Sequence, residues 1–240
     1  MKKKTDLEKL KEIAKYFLFQ DVRENEFSPI IVSHPVFTTA MVPIKRGNEF
    51  EFINILDSPE NLQRVRDFYV DLIDNFTEVE QIIFTVIRIV YRLAFFKYAY
   101  EYLSIEDRSK LLLEIWVNSE NPNSDVNVPL SEAVKWFRNS NKKILMDEED
   151  FKVYESFPEK VKLYRGVTKL GNPYGLSWTT NLDTAKWFAN RFNINDRDNG
   201  NYVIEAEVNK EDILAYFSGI NENEVIVDTS NILFKKLVDN

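Results

Sequence analysis

VKLYRGV, residues 161–167, is the first of several short strands that the sequence predicts after Pro158. A helix is predicted among them, from Asp183 to Phe192, because its apolar residues recur on one face. The other predicted strands cover residues 176–180, 202–208, 213–217, 224–228 and 232–238. Many short strands with one or two helices indicate an α+β unit.

Helical periodicity dominates the chain before this point. A capping-box pattern at Thr77 and Glu80 predicts a long helix that ends at about Leu103. Further helices are predicted around residues 7–18, at 62–76 with Ser58 as the cap, from Ser104 onward, at 131–137 and at 147–157. We therefore predict two regions, a mainly helical one at residues 1–157 and an α+β one at residues 158–240.

Composition excludes several classes of protein. The chain has 240 residues, of which 44% are hydrophobic, so we expect a packed core. It contains no cysteine, which rules out disulfides and thiolate metal sites, and we expect no metal cofactor. His34 is the only histidine. A net charge of −8 lacks the basic footprint of a general nucleic-acid binder, so no nucleic acid partner is expected.

Two segments bear on the cellular compartment. The basic N-terminus is followed by charged residues and not by an apolar run, which does not fit a secretion signal. The most apolar segment, residues 82–103, is interrupted by four charged residues at helical spacing. This pattern favours a buried helix over a membrane span. We therefore expect a cytoplasmic protein without a membrane partner.

The first motif that could bind a ligand is Tyr164-Arg165-Gly166. An arginine binds a phosphate through two parallel hydrogen bonds, which a lysine cannot match. A glycine beside it allows the backbone to come close to a ligand. The alternative is that Arg165 is an ordinary surface or salt-bridged arginine.

The second motif is Ser177-Trp178-Thr179-Thr180. Ser177 lies between two apolar residues of a predicted strand, and its hydroxyl can orient a carboxylate by hydrogen bonding. Thr179 is predicted on the same face as Ser177, and Trp178 in the core. The alternative for both hydroxyls is the ordinary polar face of a strand.

The third motif is Glu222-Asn223-Glu224 at the start of an apolar strand. Two carboxylates near one site can divide roles between electrostatic stabilisation and general base catalysis. The alternative is the solvated start of a strand. Glu205 and Glu207 form a second Glu-x-Glu, but they fall on the polar face of a regular strand. We prefer Glu222 and Glu224 because a turn that contains Gly219 precedes them.

In this order, the motifs resemble those of mono-ADP-ribosyltransferases of the arginine-serine-glutamate class. These enzymes cleave NAD between nicotinamide and ribose and pass ADP-ribose to an acceptor. The resemblance runs from Leu163 to Val227 and looks closest to bacterial and phage-encoded members. Residues 185–189, AKWFA, match an Ala-x-x-Phe-Ala element that commonly follows the serine motif. One departure is Trp178, which stands where the family has a central Thr.

The resemblance implies a fold and a role for each site residue. The fold would be an ADP-ribosyltransferase-like β-sandwich with a central NAD cleft, and residues 158–240 would be its catalytic core. Glu224 is implied as the catalytic glutamate, and Glu222 as the acceptor-side residue that accompanies transfer to arginine. Ser177 is implied to position Glu224. The residues implied to bind NAD, which is a substrate here, are Arg165, Gly166, Ser177 and Thr179.

Three hypotheses of function remain open. The first is a protein mono-ADP-ribosyltransferase, with arginine as the implied acceptor side chain. The second is an NAD glycohydrolase, which uses water at the same site. The third is a degenerate NAD-binding or protein-binding inhibitor, such as a phage anti-defence protein. Residues 1–157 match no motif, and target recognition and a scaffold role both stay open for them. The expected partners are NAD and an acceptor protein, in the cytoplasm of the producing or host bacterial cell.

Overall fold

The computed structural model describes residues 3–191, 200–219 and 223–232, together with the backbone of residues 234–238. The chain divides into two compact units. The first comprises Met1–Leu111 and Ile115–Glu120, and the second comprises Leu112–Glu114 and Asn121–Asn240. The protein is of the α+β class, as predicted.

The first unit combines helices with two small antiparallel sheets. Strand β1 pairs with β2, and β3 pairs with β4. The elements are α1 (Leu7–Leu18), β1 (Arg23–Asn25), β2 (Ser28–Ser33), β3 (Met41–Arg46), β4 (Glu49–Asn54), α2 (Pro59–Asp74), α3 (Val79–Gln81), α4 (Arg92–Ala99) and α5 (Ile105–Asn118), part of which belongs to the second unit. The predicted first helix is confirmed: Asp6 caps it, and its apolar face is buried. Ser58 caps α2 and Ser104 caps α5, also as predicted.

The long helix predicted from Thr77 to Leu103 is wrong, because this segment consists of several short helices. The first of these short helices is α3, whose N-cap is Glu78 and whose capping box is completed by Gln81. A π-helix at Ile82–Val86 follows α3, and the backbone is then extended at Arg88. The Arg88 guanidinium donates to three backbone carbonyls, those of Val32, His34 and Phe37. These three hydrogen bonds hold the backbone at Arg88 in its non-helical conformation.

The second unit is built on a six-stranded antiparallel sheet in the order β10-β7-β5-β6-β9-β8. Its elements are α6 (Leu130–Arg138), α7 (Lys142–Leu145), α8 (Glu148–Ser156), β5 (Lys160–Val167), β6 (Ser177–Thr179), α9 (Leu182–Asn190), β7 (Tyr202–Asn209), β8 (Ile213–Phe217), β9 (Glu224–Val227) and β10 (Phe234–Val238). Each strand predicted after Pro158 corresponds to one of these strands, and the predicted helix corresponds to α9. Period-2 alternation was the signal for β7, whereas β8 and β9 are short apolar runs that are buried along most of their length.

The sheet is joined at its centre by a single residue pair. Strand β5 pairs with β7 over eight positions, whereas its pairing with β6 consists of Tyr164 and Thr179 alone among the described residues. The sheet therefore consists of two three-stranded halves, β10-β7-β5 and β6-β9-β8. The ADP-ribosyltransferase-like sandwich implied by the resemblance stays a prediction.

Helices from both sides of Pro158 in the sequence pack on this sheet. Helices α6 and α8 contact β8, and α9 contacts β5 and β7. The border predicted between residues 157 and 158 consequently falls inside the second compact unit. That unit takes in the helical residues from Asn121 onward because their apolar faces are covered by the sheet.

Candidate functional site

One row of paired residues crosses the centre of the sheet and contains two of the predicted site residues. Tyr164 of β5 is opposite Thr179 of β6, Thr179 is opposite Glu224 of β9, and Glu224 is opposite Phe217 of β8. Arg165 follows Tyr164 directly. The sheet thus brings the arginine, serine and glutamate motifs to the point where its two halves meet.

Arg165 is half-buried and is held by the backbone of the loop that follows its strand. Its Nε and Nη2 donate to the carbonyl oxygen of Asn172 at 3.2 and 2.9 Å, and its Nη1 donates to the carbonyl of Ser177. Burial lowers the pKa of Arg165 to about 10, while the negative charge of Glu224 acts in the opposite direction. The guanidinium remains charged at neutral pH, and the Glu224 carboxylate is close enough to act on it.

Gly175 is required by the way the loop closes over Arg165. A Cβ atom at this position would lie 2.2 Å from Nη2 of Arg165 and 2.8 Å from Cγ of Asn123. Both distances are far below van der Waals contact, so any side chain here would displace the arginine. The sequence carried no signal for this contact, because it joins residues on different elements.

Ser177 is bound by an asparagine that the sequence did not single out. Asn123, in the short 3-10 helix Pro122–Ser124, donates from Nδ2 to Oγ of Ser177 at 2.9 Å. Its Oδ1 accepts from the backbone N–H groups of Leu176 at 2.5 Å and of Ser177 at 3.4 Å. Its carbonyl accepts from Nδ2 of Asn172 at 3.2 Å. Asn123 therefore connects Ser177 with the loop that holds Arg165.

Glu224 lies at the first position of β9 and is half-buried. The residue before it, Asn223, has a φ of +46°, a left-handed conformation that asparagine tolerates better than most residues. The hydroxyl of Tyr216 donates to Oδ1 of Asn223 at 2.8 Å. This bond and the pairing of Glu224 on both sides, to Thr179 and Phe217, fix the backbone that carries the carboxylate.

Gly166 has a packing role that the sequence interpretation missed. A Cβ atom on Gly166 would lie 2.0 Å from the carbonyl oxygen of Ala185 and 2.6 Å from the backbone nitrogen of Ala189. Strand β5 therefore approaches the backbone of α9 at this point, and only glycine permits it. The need for glycine here is explained by helix packing, without reference to a ligand.

Thr179 and Trp178 are both part of the interior. Thr179 is 4% exposed, and its Oγ1 accepts from the backbone N–H of Asn181 just before α9. Trp178 is 2% exposed, and its Nε1 donates to the carbonyl of Gly175 at 3.0 Å. The core position predicted for Trp178 is confirmed. The residue that departs from the family pattern thus supports the loop around Arg165.

Glu222 lies outside the residues that the structure describes. The segment leading toward it is anchored at Ser218, whose backbone N–H donates to the buried Asp150 of α8 at 3.1 Å. Residues 147–150, DEED, form an acidic run that the sequence alone predicts to be the solvated start of a helix, and for Asp150 that prediction is wrong. Asp150 is buried because the first turn of α8 contacts the backbone at Ser218.

The competing Glu-x-Glu pair has local ion-pair partners. Glu205 lies 3.3 Å from Nζ of Lys162, and Glu207 lies 2.9 Å from Nζ of Lys160, across the β5–β7 pairing. Both glutamates therefore belong to a ladder of charged residues on regular strands. Among the described residues, Glu224 is a glutamate whose negative charge favours the protonated form of Arg165.

An ion network of two buried aspartates and the exposed Arg138 holds the ends of β8 and β9 together. Arg138 of α6 donates to Asp228 at 2.8 and 3.1 Å and to Asp212 at 3.2 Å. Ser230 and Asn231 donate to the same two carboxylates. These contacts raise the pKa of Arg138, through its hydrogen bond to Asp228 first. The network fixes the far end of the strand that begins with Glu224.

His34, in the first unit, has a structural role. Its Nδ1 accepts from the backbone N–H groups of Val36 and Phe37, both at 3.1 Å, and its Nε2 lies 3.2 Å from the carbonyl of Gln20. Burial lowers its pKa to about 4. The neutral imidazole therefore caps a turn.

Comparison of the chain with models of protein families, with curated proteins and with solved structures finds no match. The likeness to ADP-ribosyltransferases therefore rests on the three motifs and on the positions of their residues. Within the described part of the chain, no helix is long and apolar enough to cross a membrane.

Proposed function

We propose that the protein is a mono-ADP-ribosyltransferase that cleaves NAD and transfers ADP-ribose to a protein acceptor. The observation that carries the proposal is the placement of Arg165, Ser177 and Glu224 on the neighbouring strands β5, β6 and β9. The three motifs are separated in sequence, and they converge on this junction. The proposed ADP-ribosyltransferase-like fold would place the NAD cleft between the two halves of the sheet.

The chemistry calls for a negative group at the ribose and a positive group at the pyrophosphate. The bond between nicotinamide nitrogen and ribose C1′ breaks, its electron pair leaves with neutral nicotinamide, and positive charge develops on the ribose. A fixed carboxylate such as Glu224 stabilises that charge. The acceptor then forms a bond to C1′ and loses a proton, for which Glu222 is the proposed base. Arg165 would hold the pyrophosphate.

Two other proposals fit the same residues. An NAD glycohydrolase would use water as the acceptor. An inhibitor without turnover is favoured by one observation, namely that Arg165 already donates to the backbone carbonyls of Asn172 and Ser177. In that case the arginine is a structural clamp, and Glu224 is its counter-charge.

Labelled NAD distinguishes the three functions. The purified protein is incubated with a bacterial lysate and NAD labelled in the adenylate moiety, beside the Glu224→Gln variant. Labelled protein bands that the variant lacks support transfer. Free ADP-ribose without labelled bands supports hydrolysis. Neither product, at any lysate concentration, supports the inhibitor.

A further inference from the structure

Asn123 lies outside all three motifs, and yet it contacts two of them directly or through one residue. Its side chain binds both the hydroxyl and the backbone N–H of Ser177. Its own carbonyl accepts from Asn172, whose carbonyl in turn accepts two hydrogen bonds from Arg165. This residue is therefore placed to influence the site without touching a substrate.

The orientation of the Asn123 amide is fixed by its partners. Two backbone N–H groups approach one end, and only the carbonyl oxygen can accept from them. The other end must then be the NH2 group, which donates to Oγ of Ser177. A hydroxyl that accepts this hydrogen bond still has its own proton to donate elsewhere. Asn123 thus makes the Ser177 hydroxyl an acceptor on one side and leaves its proton for a different partner.

Glu224 lies on the strand that pairs with the strand of Ser177. Ser177 is opposite Ile226, and Glu224 is opposite Thr179 two residues away, so Ser177 and Glu224 are diagonal neighbours on adjacent strands. Diagonal neighbours on one face of a sheet are separated by roughly 7–8 Å, which a glutamate side chain can bridge.

We propose that Asn123 is a positioning residue that makes the Ser177 hydroxyl a donor toward the Glu224 carboxylate. The inference rests on the proposed function, because it assigns a catalytic purpose to the orientation of Glu224. A carboxylate held by a fixed donor is preorganised for the developing ribose cation and does not have to reorient during the reaction.

The test is the substitution Asn123→Asp, analysed with Ser177→Ala in a double-mutant cycle. Aspartate keeps the size of asparagine and can accept from both backbone N–H groups, but it cannot donate to Ser177. The serine would then donate its proton to the new carboxylate and lose its contact with Glu224. We expect kcat for NAD cleavage to fall about 10- to 100-fold, the scale of one hydrogen bond to a charged group, with KM nearly unchanged.

Non-additivity separates positioning from a general structural effect. In the Ser177→Ala background, Asn123→Asp should lower kcat by no more than about twofold, because the hydroxyl that it misdirects is already absent. Asn121→Asp is the matched control, since Asn121 is exposed in the same loop and receives the same charge. It should leave kcat near that of the parent. If Asn123→Asp does not fold, Asn123→Gln displaces the amide by one methylene, and the same cycle is measured with it.

Two outcomes overturn the inference in distinguishable ways. If the parent is active and the losses from Asn123→Asp and Ser177→Ala simply multiply, Asn123 does not act through Ser177, and the proposed function is untouched. If the parent shows no NAD cleavage, the proposed function fails, and the catalytic role of Asn123 fails with it.

Discussion

The guanidinium of Arg165 donates two hydrogen bonds to one carbonyl oxygen, that of Asn172. The edge of an arginine that carries Nε and one Nη is a pair of parallel donors suited to a phosphate. Here this edge is occupied by the protein backbone. A phosphate must therefore bind at the outer edge of the guanidinium or take the place of the carbonyl.

Arg165→Lys should weaken NAD binding although it retains the positive charge, because lysine cannot present two parallel donors. Calorimetric titration measures the loss. Arg138→Lys is the matched control, since Arg138 is a structural arginine of the same unit and also donates to several oxygens. We expect the control to lower stability and to leave NAD affinity of the folded protein unchanged. Equal affinities for the parent and Arg165→Lys would return Arg165 to a structural role.

Glu224→Gln should retain the shape of the site and remove its negative charge. We expect turnover of NAD to fall on the order of 10²-fold or more, as for the loss of one preorganised electrostatic group. Release of nicotinamide gives the rate. Glu207→Gln is the control, because Glu207 is paired with Lys160 on a regular strand. A Glu224→Gln enzyme within a few-fold of the parent would contradict the assignment.

Glu222→Gln should separate transfer from hydrolysis, a prediction that rests on the resemblance alone. A base for an incoming acceptor matters most when the acceptor is large and must lose a proton. Labelling of protein should therefore be suppressed while much of the slow NAD hydrolysis remains. Glu224→Gln should suppress both activities. Equal proportional losses of both activities in the two variants would show that the glutamates do not divide the roles.

Two glycine substitutions should have different effects, because the added methyl group meets different atoms. Gly166→Ala meets the backbone of α9, which cannot move aside, and should lower the free energy of unfolding by about 1–3 kcal/mol or more. Gly175→Ala meets the end of the Arg165 side chain, which can move, and should weaken NAD binding more than stability. Urea unfolding and calorimetry measure the two effects. The opposite pattern would mean that the loop yields and the arginine does not.

His34 should make the first unit less stable in acid. Its pKa of about 4 in the folded state lies below the ordinary value of 6.5, so the unfolded chain takes up a proton first as the pH falls. Stability is therefore lost between about pH 6.5 and pH 4, by about 2 kcal/mol at pH 4.5 relative to pH 7. His34→Asn retains an acceptor for the turn but does not titrate. Its loss of stability between pH 7 and pH 4.5 should therefore be smaller than that of the parent by about 2 kcal/mol. Carboxylates titrate alike in both proteins, so the difference in urea unfolding isolates His34.

Local patterns predicted the elements of this protein better than they predicted its long-range contacts. Alternation in residues 202–208 and the cap at Ser58 depend on near neighbours, and both predictions correspond to observed elements. The helix predicted across Arg88 was wrong because carbonyls more than fifty residues away hold that side chain. Gly166 drew attention as a ligand contact, whereas its neighbour is a helix backbone.

The candidate site likewise combines residues that local motifs predicted with a residue that only long-range contacts reveal. Arg165, Ser177 and Glu224 were selected from motifs, and the sheet brings their strands together. Asn123 could not be selected, because an asparagine in a polar loop that contains proline is typical of turns. Its importance arises from the Ser177 hydroxyl and the backbone N–H groups that tertiary structure brings to it.

The second compact unit, which contains the residues from Asn121 onward together with Leu112–Glu114, has a consequence for recombination between genes. Recombination that joined a new N-terminal segment at residue 158 would separate Asn123 from Ser177 and Arg138 from its two aspartates. The receiving chain would gain all three motifs but lose contacts that orient one of them. A crossover close to Asn121 would transfer the motifs together with Asn123 and Arg138.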